Sequence, residues 1–314
     1  MKVLVTGATG FTGAHMMRFL STREDIVLTG LARGVSSSIT SPISKLWVNA
    51  DILDRASLFD VMSEICPDAI IHLAALNQGA FKDLLETNAV GTKNILDAAL
   101  KANPECHTLV VSSSAIYGYS ISTVIPEETP PKPLNEYGVS KMAQDILSLM
   151  YYKNYGARVT VARPFNLVGP DQTDLSVCGR IIGQIVEIEQ GKKEALDLLE
   201  IISSRDFIDV RDAVKGYWAL ISHPNFANAC AGKAFNIGSG KESAIHEVIK
   251  LIEKITGDHY QIRVSEVHSP IHYQSQRSNN SRIHATTGWK PAIPLEDSLR
   301  DMLNAARKIA QNSY

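Results

Sequence analysis

Tyr137 and Lys141 are separated by three residues in Tyr137-Gly138-Val139-Ser140-Lys141. On a helix that spacing puts both side chains on one face, a turn apart. A phenol beside an ammonium can act as an acid–base group, because the positive charge favours phenolate and lowers the tyrosine pKa. A tyrosine alone, with an ordinary pKa near ~10, is a poor proton carrier at neutral pH. The same spacing occurs on ordinary helices, so the surroundings decide. Two further groups of residues supply them. Ser112-Ser113-Ser114 follows a β-rich run at 108–111, and a serine at a strand's carboxyl edge faces the crevice where open α/β sheets bind ligands. Gly7-Ala8-Thr9-Gly10-Phe11-Thr12-Gly13 lies between a strand-like run at 2–6 and a helical one at 15–21. Glycines there permit a tight turn and a close approach to a pyrophosphate, which the helix N-terminus favours.

The elements that position these groups alternate. Strands are expected at 2–6, 25–31, 47–50, 69–75, 108–111 and 157–162. Helices are expected at 15–21, 58–65, 81–101 (interrupted near 88–92) and 136–155. That rhythm predicts an α/β fold with a Rossmann-type, doubly wound parallel sheet. After Gly169 the rhythm changes, and a smaller mixed α/β substrate lobe is expected. We assign 1–167, with a returning segment at about 208–238, to the dinucleotide domain, and 168–207 with 239–314 to the substrate lobe. The second strand ends in Gly30-Leu31-Ala32-Arg33-Gly34, with no acid for a ribose 2′-hydroxyl and an arginine able to meet a 2′-phosphate. This favours NADP(H), with NAD(H) the other option; a solvated surface role for Arg33 stays open. Asp51 could accept from an adenine amino group or cap the following helix. His72, inside the apolar run 69–75, reads as structural. Residues 36–44 and 119–135 read as loops.

The 314 residues carry 31 basic and 33 acidic side chains, a net charge of -2 that gives no reason to propose nucleic acid or an anionic membrane as partner. No run approaches a membrane span. The start reads as strand and turn rather than a signal peptide, so a cytoplasmic location is expected. Cys66, Cys106, Cys178 and Cys230 are too dispersed for a metal or redox motif, and no metal is expected.

GATGFTG at 7–13, HLAA at 72–75, NAVGT at 88–92, SSSAIYG at 112–118, YGVSK at 137–141, RPFNLVGP at 163–170, RDFIDVRD at 205–212 and TGWKP at 287–291 occur in one order along the whole chain. In this it resembles the extended short-chain dehydrogenase/reductase family, the NAD(P)-dependent sugar-nucleotide epimerases, dehydratases and reductases. The segment VCGRIIGQIVEIEQGKK looks most like GDP-4-keto-6-deoxy-mannose reductases. The resemblance implies catalysis by Ser113, Tyr137 and Lys141. It implies a cofactor site of Gly7, Thr9, Gly10, Phe11, Thr12, Gly13, Arg33, Asp51, Ile52, Leu73, Ala74, Ala75 and Asn88, with Tyr137 and Lys141. A nucleotide-linked sugar would meet Ser114, Asn166, Arg180 and Arg205. Ser114 could share the work of Ser113. Asn88, Asn166 and Arg205 each keep a structural alternative, a turn cap or an ion pair between lobes.

The family's dehydratases place Asp or Glu directly after the hydroxyl residue. Ser114-Ala115-Ile116 has none, so net reduction is expected. The alternatives are a nucleotide-sugar 4-epimerase with tightly bound NAD and a non-catalytic dinucleotide-binding protein. The run His268-Ser269-Pro270-Ile271-His272 departs from the reductase pattern, with Ser269 in place of an arginine and His272 in place of an acid; Arg277 and Arg282 are the candidate replacements. A homodimer through helices at 84–102 and 137–155 is the family-based expectation.

Overall fold

The computed structural model describes residues 1–34, 46–118, 122–265 and 275–312. The loop expected at 36–44 and the run His268–His272 lie outside them. Seven parallel strands form the main sheet: β1 (Lys2–Thr6), β2 (Val27–Ala32), β3 (Leu46–Asn49), β4 (Ala69–His72), β5 (His107–Val111), β6 (Val159–Pro164) and β7 (Ala234–Ile237). Their order is β7-β6-β5-β4-β1-β2-β3, and every neighbouring pair is parallel. The order reverses between β1 and β4, which opens a crevice at their carboxyl ends.

Strand period explains the two-sided core. Val3 and Val5 of β1 face one side with Ile71 and Leu109, covered by helices Phe11–Ser21 and Val210–Ile221. Leu4 faces the other side with Ile70, covered by Leu58, Met62, Ile95 and Ala98 from helices Arg55–Ile65 and Gly91–Ala102. The helical region at 81–101 is indeed interrupted: Phe81–Leu85 and Gly91–Ala102 are joined by a π turn, Glu86–Val90. Such wide turns favour functional positions, and this one carries Asn88.

A separate core gathers Cys178, Ile181, Ile185, Val248, Ile252, Leu299 and Leu303 from helices Val177–Glu189, Ile245–Thr256 and Leu295–Asn312. Beside it a four-stranded mixed sheet runs Ser243–Ala244, Ser204–Arg205, Ser275–Ser278, Val124–Ile125. This lobe therefore draws strands from both halves of the chain.

Candidate active site

The phosphate turn is built by close approach. Gly7 has φ +66, and a Cβ there would lie 2.7 Å from the Ala74 nitrogen. A Cβ on Gly13 would lie 2.1 Å from the Gly7 carbonyl oxygen. No larger residue fits either place without moving backbone. Gly10 starts the helix Phe11–Ser21 with no side-chain cap and no acid in its first turn, so its leading N–H groups and dipole are left for an anion. These features fit a dinucleotide pyrophosphate.

Two adjoining cavities flank this turn. The first, about 330 Å³, is lined by Gly7, Thr9, Gly10, Arg33, Asp51, Ile52, Leu73, Ala74 and Ala75, all expected from the sequence, together with Leu31, Ala32, Ala50, Leu76 and Thr87. The second, about 740 Å³, shares Gly7, Gly10, Leu73 and Ala75 and continues past Phe11, Thr12 and Gly13 to Ser113, Tyr137, Asn166 and Arg205. A side chamber of about 370 Å³ contains Ser113, Ser114, Asn135, Tyr137, Asn166, Arg205 and Gln276. Asn77, Asn135, Gln172, Ser176, Glu200 and Gln276 also line these spaces and were not anticipated. Asn77, Asn135, Gln172 and Ser176 flank quoted segments within two residues; Glu200 and Gln276 arrive through tertiary packing.

Ser113 ends in extended backbone, and its Oγ accepts from Ala115 N at 3.1 Å, opening the short turn Ser114–Ile116. Its hydroxyl also acts on the Tyr137 phenol, favouring the phenolate. Asn135 Oδ1 accepts from Gly138 N at 2.8 Å and so caps the helix Glu136–Tyr155 that carries Tyr137 and Lys141. Ser113 and Tyr137 line both the main cleft and the side chamber, whereas Ser114 lines the chamber alone.

Several of the expected residues sit in surroundings that the sequence does not announce. Burial raises the Tyr137 pKa, and the Ser113 hydroxyl opposes that rise. Lys141 is itself 2% exposed, and burial pushes its ammonium down to about 7, with Asp145 acting the other way. Asn88 lines neither cavity. It is fully buried; its Oδ1 accepts from Leu76 N at 2.8 Å, and its Nδ2 donates to Leu76 O at 2.8 Å and to Ser140 Oγ at 2.9 Å. It holds the wall 73–76 from behind. Arg180 is exposed on its helix, outside the residues lining the cleft. The cap of helix Arg55–Ile65 is Asp54, not Asp51, whose Oδ1 accepts from Leu53 N at 2.9 Å and whose carboxylate sits 3.7 Å from Arg33. Asn166 lines the cleft while its Nδ2 donates to Asp206 O at 3.1 Å. His72 is structural as expected, buried between Thr6 Oγ1 at 2.7 Å and Thr92 Oγ1 at 2.9 Å, and held neutral by burial.

A family model described as GDP-mannose 4,6 dehydratase matches residues 4–302. The chain belongs to this family. Its members are extended short-chain dehydrogenase/reductases, and the chain is an NAD(P)(H)-dependent oxidoreductase or epimerase of nucleotide sugars. It is 36% identical to GDP-6-deoxy-D-mannose reductase of Pseudomonas aeruginosa over 96% of each chain. It is 27% identical to GDP-6-deoxy-D-talose 4-dehydrogenase of Aggregatibacter actinomycetemcomitans, over 85% of this chain and 84% of that one. Among solved structures, RMD from Pseudomonas aeruginosa complexed with NADPH superposes with a TM-score of 0.83 at 32% identity, covering 98% and 99% of the two chains. UDP-glucuronic acid 4-epimerase from Bacillus cereus, at 24% identity and a TM-score of 0.87 over 98% and 100% of the chains, shares the fold. No described helix is long and apolar enough to cross a membrane.

Proposed function

We propose that the protein reduces a GDP-linked 4-keto-6-deoxy sugar, most directly GDP-4-keto-6-deoxy-mannose, with NADPH. The observation that carries this reading is that Ser113 and Tyr137 line the cleft and the side chamber together, with no carboxylate in Ser114-Ala115-Ile116 directly after Ser113. Bound in the first cavity and the turn Gly7–Gly13, a reduced nicotinamide cofactor supplies a hydride.

Ser113 donates to the sugar carbonyl oxygen and polarises it. The phenol of Tyr137, kept protonated by burial, hands its proton to that oxygen. Lys141, when charged, stabilises the phenolate left behind. Arg205 presents a planar donor to the diphosphate and Asn166 an amide to the sugar. Elimination of water would need a further acid and base. The one carboxylate lining the cleft among the described residues, Glu200, accepts from Ile202 N and Ser203 N at 2.8 Å and is committed to a turn.

The preference for NADPH is supported by Arg33 on the cavity wall and by the reductase solved with NADPH. The domain assignment is supported by β7, contributed by residues 234–237, which completes the dinucleotide-binding sheet. A cytoplasmic homodimer is proposed through the helices at 84–102 and 137–155, supported by the exposed Val90, Ile146 and Tyr155.

The test is NADPH and NADH consumption by the purified protein with freshly generated GDP-4-keto-6-deoxy-mannose. Rapid NADPH loss with a GDP-deoxyhexose product is expected. No loss from a protein that carries bound NAD would replace the reading with a 4-epimerase.

A further inference from the structure

Behind the catalytic residues lies a buried polar chain that the reaction does not touch. Arg163, on β6, donates from Nε to Asp145 Oδ2 at 2.9 Å and from Nη2 to Asp145 Oδ1 at 2.8 Å. Its Nη1 donates to the Tyr117 hydroxyl and to the Glu127 carbonyl, both at 2.9 Å. Tyr117 in turn donates to Asn236 Oδ1 at 2.7 Å, and Asn236 Nδ2 donates to Ile125 O at 2.8 Å. Asp145 is 2% exposed, Arg163 7%, and Tyr117 and Asn236 are fully buried.

A buried ion pair is costly to desolvate and is weak evidence for stability. Its position gives this one meaning. Tyr117 closes the turn that Ser113 opens, its N–H donating to Ser114 O at 3.0 Å. Asp145 lies on the helix of Tyr137 and Lys141, one turn beyond Lys141. We propose that Tyr117, Arg163 and Asp145 form a positioning clamp: it holds the turn bearing Ser113 against the helix bearing Tyr137, and it sets an anion beside the Lys141 ammonium.

The surroundings of Lys141 leave Asp145 as its one neighbouring anion among the described residues. On its own helix it has Tyr137 and Asp145. From β4 it meets His72, which burial keeps neutral. From β5 it meets the Val111 carbonyl, which accepts from Nζ at 2.7 Å. Arg163, from β6, pairs with Asp145. Removing the Asp145 charge therefore disfavours the ammonium.

This inference rests on the reductase reading, and two variants test it. Tyr117→Phe breaks the clamp without changing a charge. Its kcat is expected to fall about ten-fold or more with KM little changed, the signature of misplaced reacting groups. Asp145→Asn removes the anion in an isosteric side chain. The alkaline limb of NADPH binding, read by cofactor fluorescence without sugar, is expected to move down by about one pH unit, and Asp145→Glu to restore it. A Tyr117→Phe kcat within about two-fold of wild type overturns the clamp. An unmoved limb in Asp145→Asn overturns the link to Lys141, and if that variant does not fold, the Tyr117→Phe result decides. A wild-type protein that binds NADPH but reduces no GDP-4-keto sugar overturns the substrate reading instead, while the binding limb still tests the clamp.

Discussion

Lys141 Nζ donates to the Val111 carbonyl oxygen at 2.7 Å. The lysine is thus tied to the carboxyl end of β5, directly before the serines, in a nearly water-free place. Its folded pKa, about 7, lies below the ordinary 10.5. The unfolded chain binds the proton at pH values where the folded chain does not. Stability from this group therefore rises as pH climbs from about 7 to 10.5 and is lowest below about 7. Lys141→Met should abolish turnover yet stabilise the fold by on the order of 2 kcal/mol near neutral pH. Melting curves across pH check this: the gain should shrink toward alkaline pH.

Tyr137→Phe keeps the ring and removes the proton. Turnover should fall by about 10²-fold or more, with NADPH affinity nearly unchanged. Steady-state rates and a cofactor titration separate the two. Near-wild-type turnover would remove Tyr137 from the proton transfer.

Asn88→Ala strips three hydrogen bonds from a fully buried side chain and leaves Leu76 unsatisfied. A loss of about 1–3 kcal/mol is expected. The wall at 73–76 should loosen, so NADPH binding should weaken although Asn88 does not line the cavity. Chemical denaturation and fluorescence titration measure both effects.

Arg33 is exposed on the cavity wall, 3.7 Å from Asp51. If it meets a 2′-phosphate, Arg33→Ala should weaken NADPH by about ten-fold or more and leave NADH almost unaffected. Equal losses for the two cofactors would return Arg33 to a surface role. Asp51→Asn should favour NADPH further, since it frees the guanidinium from its present partner.

The parallel sheet, the phosphate turn and the Tyr137–Lys141 pair were legible in the sequence because each depends on local pattern. Continuous apolar runs mark strands buried on both faces, Gly7 and Gly13 mark contacts too close for a Cβ, and a three-residue gap on a helix sets one face. Arg180 could not be placed in this way, because only the packing of its helix on the second lobe decides which residues turn outward. Gln276 reaches the side chamber and Glu200 the cleft from a strand and a turn far along the chain, and no spacing announces that. The charge states were equally hidden. Tyr137 and Lys141 carry the residue types of a proton relay, but desolvation sets their pKa values, and desolvation is a property of the folded surroundings. The sequence by itself determined which chemistry was available. The tertiary structure decided which groups share a cavity, which are spent on holding backbone, and how burial and Asp145 act on the lysine. Those relations join residues distant in sequence, through contacts and exclusion of water that exist only once the chain has folded.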